Sequence, residues 1–179
     1  MKYLQFGCGP HKHLLLPAPW ENYDKEVDIT RPLPFAPECA KFILAEHVIE
    51  HVPFPSGLGF LKECYRILAS NGVLRLSFPD ITRIGPYEAK LYSDHLARYG
   101  KEAQSVGQVC LAIASEWEHV ACWTAAMAVK LLDSIGFNAT LSPYGMSCFP
   151  ELNGVDRHHN DVGLKLAEAE TTVIQARKL

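Results

Sequence analysis

The chain opens on Tyr3-Leu4-Gln5-Phe6 and turns at once into Gly7-Cys8-Gly9-Pro10, a beginning that few folds accommodate. A brief apolar run ending abruptly is the pattern of a buried strand, and two glycines within three residues permit the unusual backbone angles of a tight turn. Such a strand belongs in a parallel sheet covered on its faces, so the run predicts an α/β fold whose first loop lets backbone approach a ligand closely. Prolines at positions 10, 17 and 19 leave residues 11–16 free for helix, about a turn and a half at 3.6 residues per turn. A full crossover helix does not fit there.

Further along, Trp20-Glu21-Asn22-Tyr23-Asp24 reads as a second short strand, and Pro32, Pro34 and Pro37 make the next segment a loop. Lys41-Phe42-Ile43-Leu44-Ala45 is another buried strand, with Glu46-His47-Val48-Ile49-Glu50-His51 at its end. Ser56 is positioned to cap a helix carrying Leu58, Leu61, Tyr65 and Leu68, which Asn71-Gly72 would stop. A strand over residues 73–78 completes a strand, helix, strand unit of parallel type. Residues 85–120 read as largely helical, Thr124 starts a helix that Gly136 ends, and residues 137–141 return to the sheet. Residues 142–162 carry Pro, Gly, Asn, Asp and His without period and read as a long surface loop, a place where function often sits. Thr171-Thr172-Val173-Ile174-Gln175-Ala176 is β-branched and suits a final strand.

The 179 residues, 48% hydrophobic and 21% charged, suit one soluble domain spanning residues 1–179. Net charge is −3 and the basic residues are scattered, which disfavours a nucleic-acid partner. Six cysteines without a C-x-x-C pair predict reduced, mostly buried thiols. No signal-peptide pattern follows Met1, and the apolar stretches 106–114 and 120–129 are too short to span a bilayer, so a cytoplasmic location without membrane association is expected.

In open α/β sheets ligands sit beyond the carboxyl ends of the strands. Three clusters fall there: Gly7-Cys8-Gly9, Asp24 with Asp28-Ile29, and Glu46-His47. Asp24, at the end of the second strand, can accept hydrogen bonds from both hydroxyls of a ribose. The dinucleotide pattern G-x-G-x-x-G fails, because Lys12 occupies its third glycine position.

Phe6-Gly7-Cys8-Gly9, Trp20-Glu21-Asn22-Tyr23-Asp24, Asp28-Ile29, Ala45-Glu46-His47-Val48-Ile49-Glu50-His51, Glu63-Cys64-Tyr65-Arg66-Ile67-Leu68 with Asn71-Gly72, and Phe78-Pro79-Asp80 follow one another in that order. The series resembles the class I S-adenosylmethionine-dependent methyltransferases, especially their small, compact members. The resemblance covers residues 3–84 and, more weakly, residues 123–137. It implies a Rossmann-like three-layer αβα sandwich of seven strands, mostly parallel with an antiparallel last strand. It also implies S-adenosylmethionine as cofactor and a small molecule or protein as methyl acceptor. By similarity, Phe6, Gly7, Cys8 and Gly9 lie along the cofactor, with Gly7 and Gly9 facing its methionine part. Asp24 faces the ribose, Asp28-Ile29 the adenine, and Glu46 and His47 the methionine and the transfer site. His47, with an ordinary pKa near 6.5, is the expected catalytic base.

Two other readings compete. The short connection after Gly9 also suits a non-catalytic protein that keeps the fold as a binding or scaffold module. His47-Val48-Ile49-Glu50-His51 matches the inverted zinc-peptidase pattern H-x-x-E-H, with Glu116, Glu118 or His119 as a third ligand. That pattern needs a helix, yet a strand precedes it and Pro53 and Pro55 follow, so no metal ligand is expected. His158-His159, beside Asp156 and Asp161, reads as a solvated loop, and Trp20, Trp117 and Trp123 as packing. The helical insert of about residues 85–120 and the loop of about residues 142–162 are left to form the acceptor pocket.

Overall fold

The computed structural model describes residues 1–9 and 14–179. The short helical turn expected over residues 11–16 lies mostly outside them. Among the described residues six strands form: β1 (Lys2–Phe6), β2 (Trp20–Tyr23), β3 (Ala40–Glu46), β4 (Leu68–Pro79), β5 (Phe137–Ser142) and β6 (Thr171–Lys178), in the sheet order β2-β1-β3-β4-β6-β5. β1 to β4 pair in parallel, while β6 runs antiparallel to both β4 and β5. The mostly parallel α/β sheet with an antiparallel last strand is therefore as expected. The resemblance implies seven strands, but residues 24–39 run as turns and bends. Pro32, Pro34 and Pro37 cannot donate to a ladder.

The helices are α1 (Phe54–Ile67), α2 (Pro86–Ala97), α3 (Val106–Ser115), α4 (Ala125–Ile135), α5 (His159–Val162) and α6 (Leu164–Glu170). None among the described residues is long and apolar enough to cross a membrane. Alternation along β3 sends Ile43 and Ala45 to one face and Phe42 and Leu44 to the other. The first pair meets Leu61 and Cys64 of α1 and Ala128 and Leu132 of α4. The second pair packs with Leu16, Phe149, Leu152 and Val155, so irregular chain covers this side of the sheet. Helices α2, α3 and α6 share a smaller core of Ile84, Tyr92, Leu96, Val109, Ile113 and Leu166.

Several local expectations hold and some fail. Thr124 caps α4 by accepting from the Met127 N–H, and Gly136 ends it with φ +117°. Ser56 caps nothing, because α1 begins two residues earlier with Pro53 at its N-cap. Nor does Asn71-Gly72 end α1. The chain leaves the helix at Leu68, which pairs at once with Ala40, and Asn71 takes φ +63° within the irregular start of β4. Residues 142–162 are not a surface loop. Leu152, Val155 and Asp156 are buried, and the stretch carries a 3-10 turn over Pro150–Leu152 as well as α5.

Arg75 of β4 explains why that stretch lies down. Its fully buried guanidinium faces the equally buried Asp156 carboxylate, Nε to Oδ1 at 2.8 Å, with Nη2 donating to Oδ2. The remaining N–H groups reach the Pro143 and Met146 carbonyls and the Ser142 hydroxyl, while Asp156 also accepts from the Gly145 N–H. Removing one partner strands the other charge without water, at about 3–5 kcal/mol. Asp156→Ala should therefore lose stability of that order in urea unfolding. Asp94→Ala, which deletes an exposed i,i+4 pair with Lys90, should lose less than about 1 kcal/mol.

Candidate functional site

The two turn glycines behave as the opening residues require. Gly7 and Gly9 adopt φ +69° and +64°, and the N–H groups of Gly7 and Cys8 both donate to the Tyr23 carbonyl. The loop is thereby bent over the end of β2. A Cβ on Gly7 would stand 2.1 Å from Cγ2 of Val48, so any side chain there collides as well as strains the backbone. Asp24 follows β2, and its carboxylate has no hydrogen-bond partner among the described residues. At the end of β3, His47 is held at φ +50° with its N–H bonded to the Ser77 carbonyl. A non-glycine residue there carries about 1–3 kcal/mol of strain, and such strain collects at functional sites.

These strand ends open on a cavity of about 650 Å³. Gly7, Cys8, Gly9, Asp24, Ile29, Glu46 and His47 all line it, so seven of the residues read from sequence are brought together. Phe6 and Asp28 are not among them. Phe6 is buried in the core against Tyr23, Phe35 and Phe60, because alternation turns it away from the loop that follows. Asp28 closes an exposed turn, accepting from the Thr30 N–H and hydroxyl and pairing with Arg31. The opposite wall comes from the helical cap: Tyr92, His95, Tyr99, Trp117 and His119, with His158 and Glu170 between the halves.

Glu46 lines the cavity but spends its carboxylate elsewhere. It accepts the N–H groups of Arg157 and His158, at 2.7 and 3.0 Å, and the Tyr144 hydroxyl. Burial and the nearby Asp156 charge raise its pKa to about 7. His158, expected in a solvated loop, is half-buried instead. Burial lowers its pKa, but the Glu170 carboxylate, 3.0 Å from Nε2, outweighs this and holds it above the usual histidine value. The His158 ring stacks on that of His47 at 3.6 Å. His47 is pushed well below 6.5, first by burial and then by the charge of His158, and so is neutral. Its Nε2 is 3.0 Å from the Thr171 hydroxyl, and Nδ1 is 3.3 Å from Oε1 of Glu50.

Sequence reasoning left residues 85–120 and 142–162 to the acceptor pocket but singled out none of Tyr92, Tyr99 or Trp117 for it, read His158 as a solvated loop, and gave Glu170 no role. Only the pairing of His158 with a stretch of irregular composition hinted at a site, and nothing local shows that Glu46 draws residues 157–158 inward. The zinc-peptidase geometry does not form: residues 49–51 make one 3-10 turn, and the His47 ring is engaged by Thr171 and His158.

The strand order, the antiparallel β6 and the glycine turn at the carboxyl end of β1 give the chain the class I S-adenosylmethionine-dependent methyltransferase fold. Residues 21–76 match the family model for the methyltransferase domain. A SAM-dependent methyltransferase from Archaeoglobus fulgidus superposes with TM-score 0.55 at 13% identity, covering 99% of this chain and 86% of its own. A Thermotoga maritima SAM-dependent methyltransferase, a possible histamine N-methyltransferase, gives 0.54 at 18% identity, covering 99% and 82%. The CurJ carbon methyltransferase gives 0.52 at 16%, and this chain spans 48% of its length. No curated protein matches the chain in sequence.

The charge pattern around His158 has a pH signature. The folded-state pKa of Glu46 lies above its ordinary value, so the stability it contributes is present at acid pH and lost as pH rises towards about 7. His158 acts in the same sense: its contribution is complete below about 6.5 and disappears through its raised folded value. His47 opposes them only below about 6.5, since above that it is neutral in both states. Thermal melts should therefore show stability falling as pH rises above about 6.5. Glu170→Gln should flatten the fall, and an unchanged slope would place its origin elsewhere.

Proposed function

We propose that the chain is a single methyltransferase-like domain, residues 1–179, that transfers a methyl group from S-adenosylmethionine to a small-molecule or protein acceptor. The observation that carries this reading is the joint placement of the Gly7–Gly9 turn and the Asp24 carboxylate on one cavity whose other wall is aromatic and histidine-rich. The residues suit the cofactor. Gly7 and Gly9 let backbone run along the methionine part, Asp24 can take the ribose hydroxyls, and Ile29 offers an apolar edge for the adenine. Glu46 would act through the 157–158 segment that it fastens rather than by touching the cofactor.

When bound, S-adenosylmethionine supplies an electrophilic methyl group on sulfonium, so the protein's task is chiefly positioning. Tyr92, Tyr99 and Trp117 would hold the acceptor and exclude water from the transfer path. Neutral His47 keeps one ring nitrogen free of a proton and would take the proton that a hydroxyl or amine acceptor releases. Thr171 and the stacked His158 ring fix the imidazole's orientation.

Calorimetry with S-adenosylhomocysteine tests the reading. Micromolar binding is expected, weakened at least tenfold in Asp24→Ala and abolished in Gly7→Ala. His47→Gln should keep that affinity while turnover with a hydroxyl or amine acceptor falls by about 10²–10⁴. If no binding appears at millimolar ligand, the chain is a non-catalytic protein on a methyltransferase fold.

A further inference from the structure

One buried group is left unexplained by methyl transfer. Glu50, on the 3-10 turn Ile49–His51, is 1% exposed, and neither of its carboxylate oxygens has a hydrogen-bond partner among the described residues. His47 Nδ1 approaches Oε1 to 3.3 Å but outside hydrogen-bonding geometry. Burial disfavours the ionised carboxylate in that position unless a cation compensates it.

Two histidines face it. His119 Nε2 lies 4.0 Å from Oε1 of Glu50, and the rings of His51 and His119 meet edge to face at 4.8 Å. One donor atom from each of Glu50, His51 and His119 falls within 4.8 Å of the others. The cluster is also braced. The N–H groups of Val120 and Ala121 both bond to the Glu50 carbonyl, at 2.9 and 3.0 Å, which locks the His119 segment onto the 49–51 turn. His119 Nδ1 is 2.5 Å from the Ile113 carbonyl. A carbonyl only accepts, so Nδ1 carries the proton and Nε2 presents a lone pair towards Glu50. Backbone carbonyls orient metal-ligating histidines in this manner.

We propose that Glu50, His51 and His119 hold a divalent transition-metal ion, with zinc best suited to one carboxylate and two imidazoles. Ligand atoms at about 2.0–2.1 Å from a tetrahedral zinc stand roughly 3.4 Å apart, so the three side chains close in by small rotations. Three protein ligands leave a fourth position open. His51 and His119 both line the cavity, so that position faces the acceptor half, where the metal would bind an acceptor oxygen or nitrogen. This last role, unlike the site itself, rests on the methyl-transfer reading. The set differs from the helical H-x-x-E-H pattern: Glu50 is a ligand here, and His47 remains with Thr171.

The test is titration of the chelator-treated full chain with zinc, read by calorimetry and melting temperature, and with cobalt(II), read by visible absorption. One zinc per chain, a raised melting temperature and tetrahedral cobalt absorption are expected. His51→Ala and His119→Ala should each weaken zinc binding at least tenfold, and Glu50→Gln should abolish it. His51 is exposed, so its variant should fold, and His158→Ala reports on adventitious histidine binding. Zinc binding that is absent at high micromolar metal, or that is unchanged in His51→Ala, overturns the site. Binding of S-adenosylhomocysteine is measured on the same samples. Zinc bound without it leaves the metal site standing and removes the methyl-transfer reading, while the nucleoside bound without zinc removes the site alone.

Discussion

A guanidinium and a carboxylate with no access to water hold this molecule's two sides together. The mutual attraction of Arg75 and Asp156 barely offsets their loss of hydration, so the pair is best understood as a constraint rather than a source of stability. With Arg75 fixed in the middle of a central strand, its remaining N–H groups must find acceptors, and they find the carbonyls and hydroxyl of residues 142–146. An irregular segment is thereby made to lie on the sheet in place of a helix. Leu152 and Val155 then fill the surface around Phe42 and Leu44.

The cavity depends on the same segment. Residues 157 and 158 follow directly from Asp156, and their N–H groups are drawn onto Glu46 at the end of β3. That places the His158 ring against His47, whose left-handed backbone the Ser77 carbonyl holds from the next strand. Asp80 closes the neighbouring strand end. One of its oxygens accepts from Thr82 and the other from the Ala125 N–H at the start of α4 and the Thr172 hydroxyl of β6. Buried carboxylates at consecutive strand ends thus join sheet, cap and loop where a ligand would sit.

The fold was legible in the sequence wherever one local signal decided the outcome. Buried runs such as Lys41-Phe42-Ile43-Leu44-Ala45, the Thr124 cap and the Gly136 stop each needed no distant partner. The glycine turn and Asp24 reach the cavity for a similarly local reason, since both follow directly on strand ends. Phe6 and Asp28 misled because adjacency in sequence says nothing of the alternation that turns Phe6 into the core or of the local turn that occupies Asp28. The end of α1 misled because Leu68 pairs with Ala40, a distant contact that overrides the helix stop expected at Asn71-Gly72. The pairing of His158 with Glu170 was not legible. Their meeting depends on an arginine 83 positions before His158 and on a helix that has no strong pattern of its own.

Because the rear cover of the sheet and the inner wall of the cavity are one stretch of chain, shape at the pocket and cohesion of the fold are not free to diverge. A relative that acquired a new acceptor by reshaping residues 143–162 would loosen Arg75 at the same time. Variation is better tolerated in the α2–α3 wall, which has a small core of its own and touches the sheet through few residues. Descendants of this chain should therefore differ first around Tyr92, Tyr99 and Trp117, and hold the histidine side nearly still.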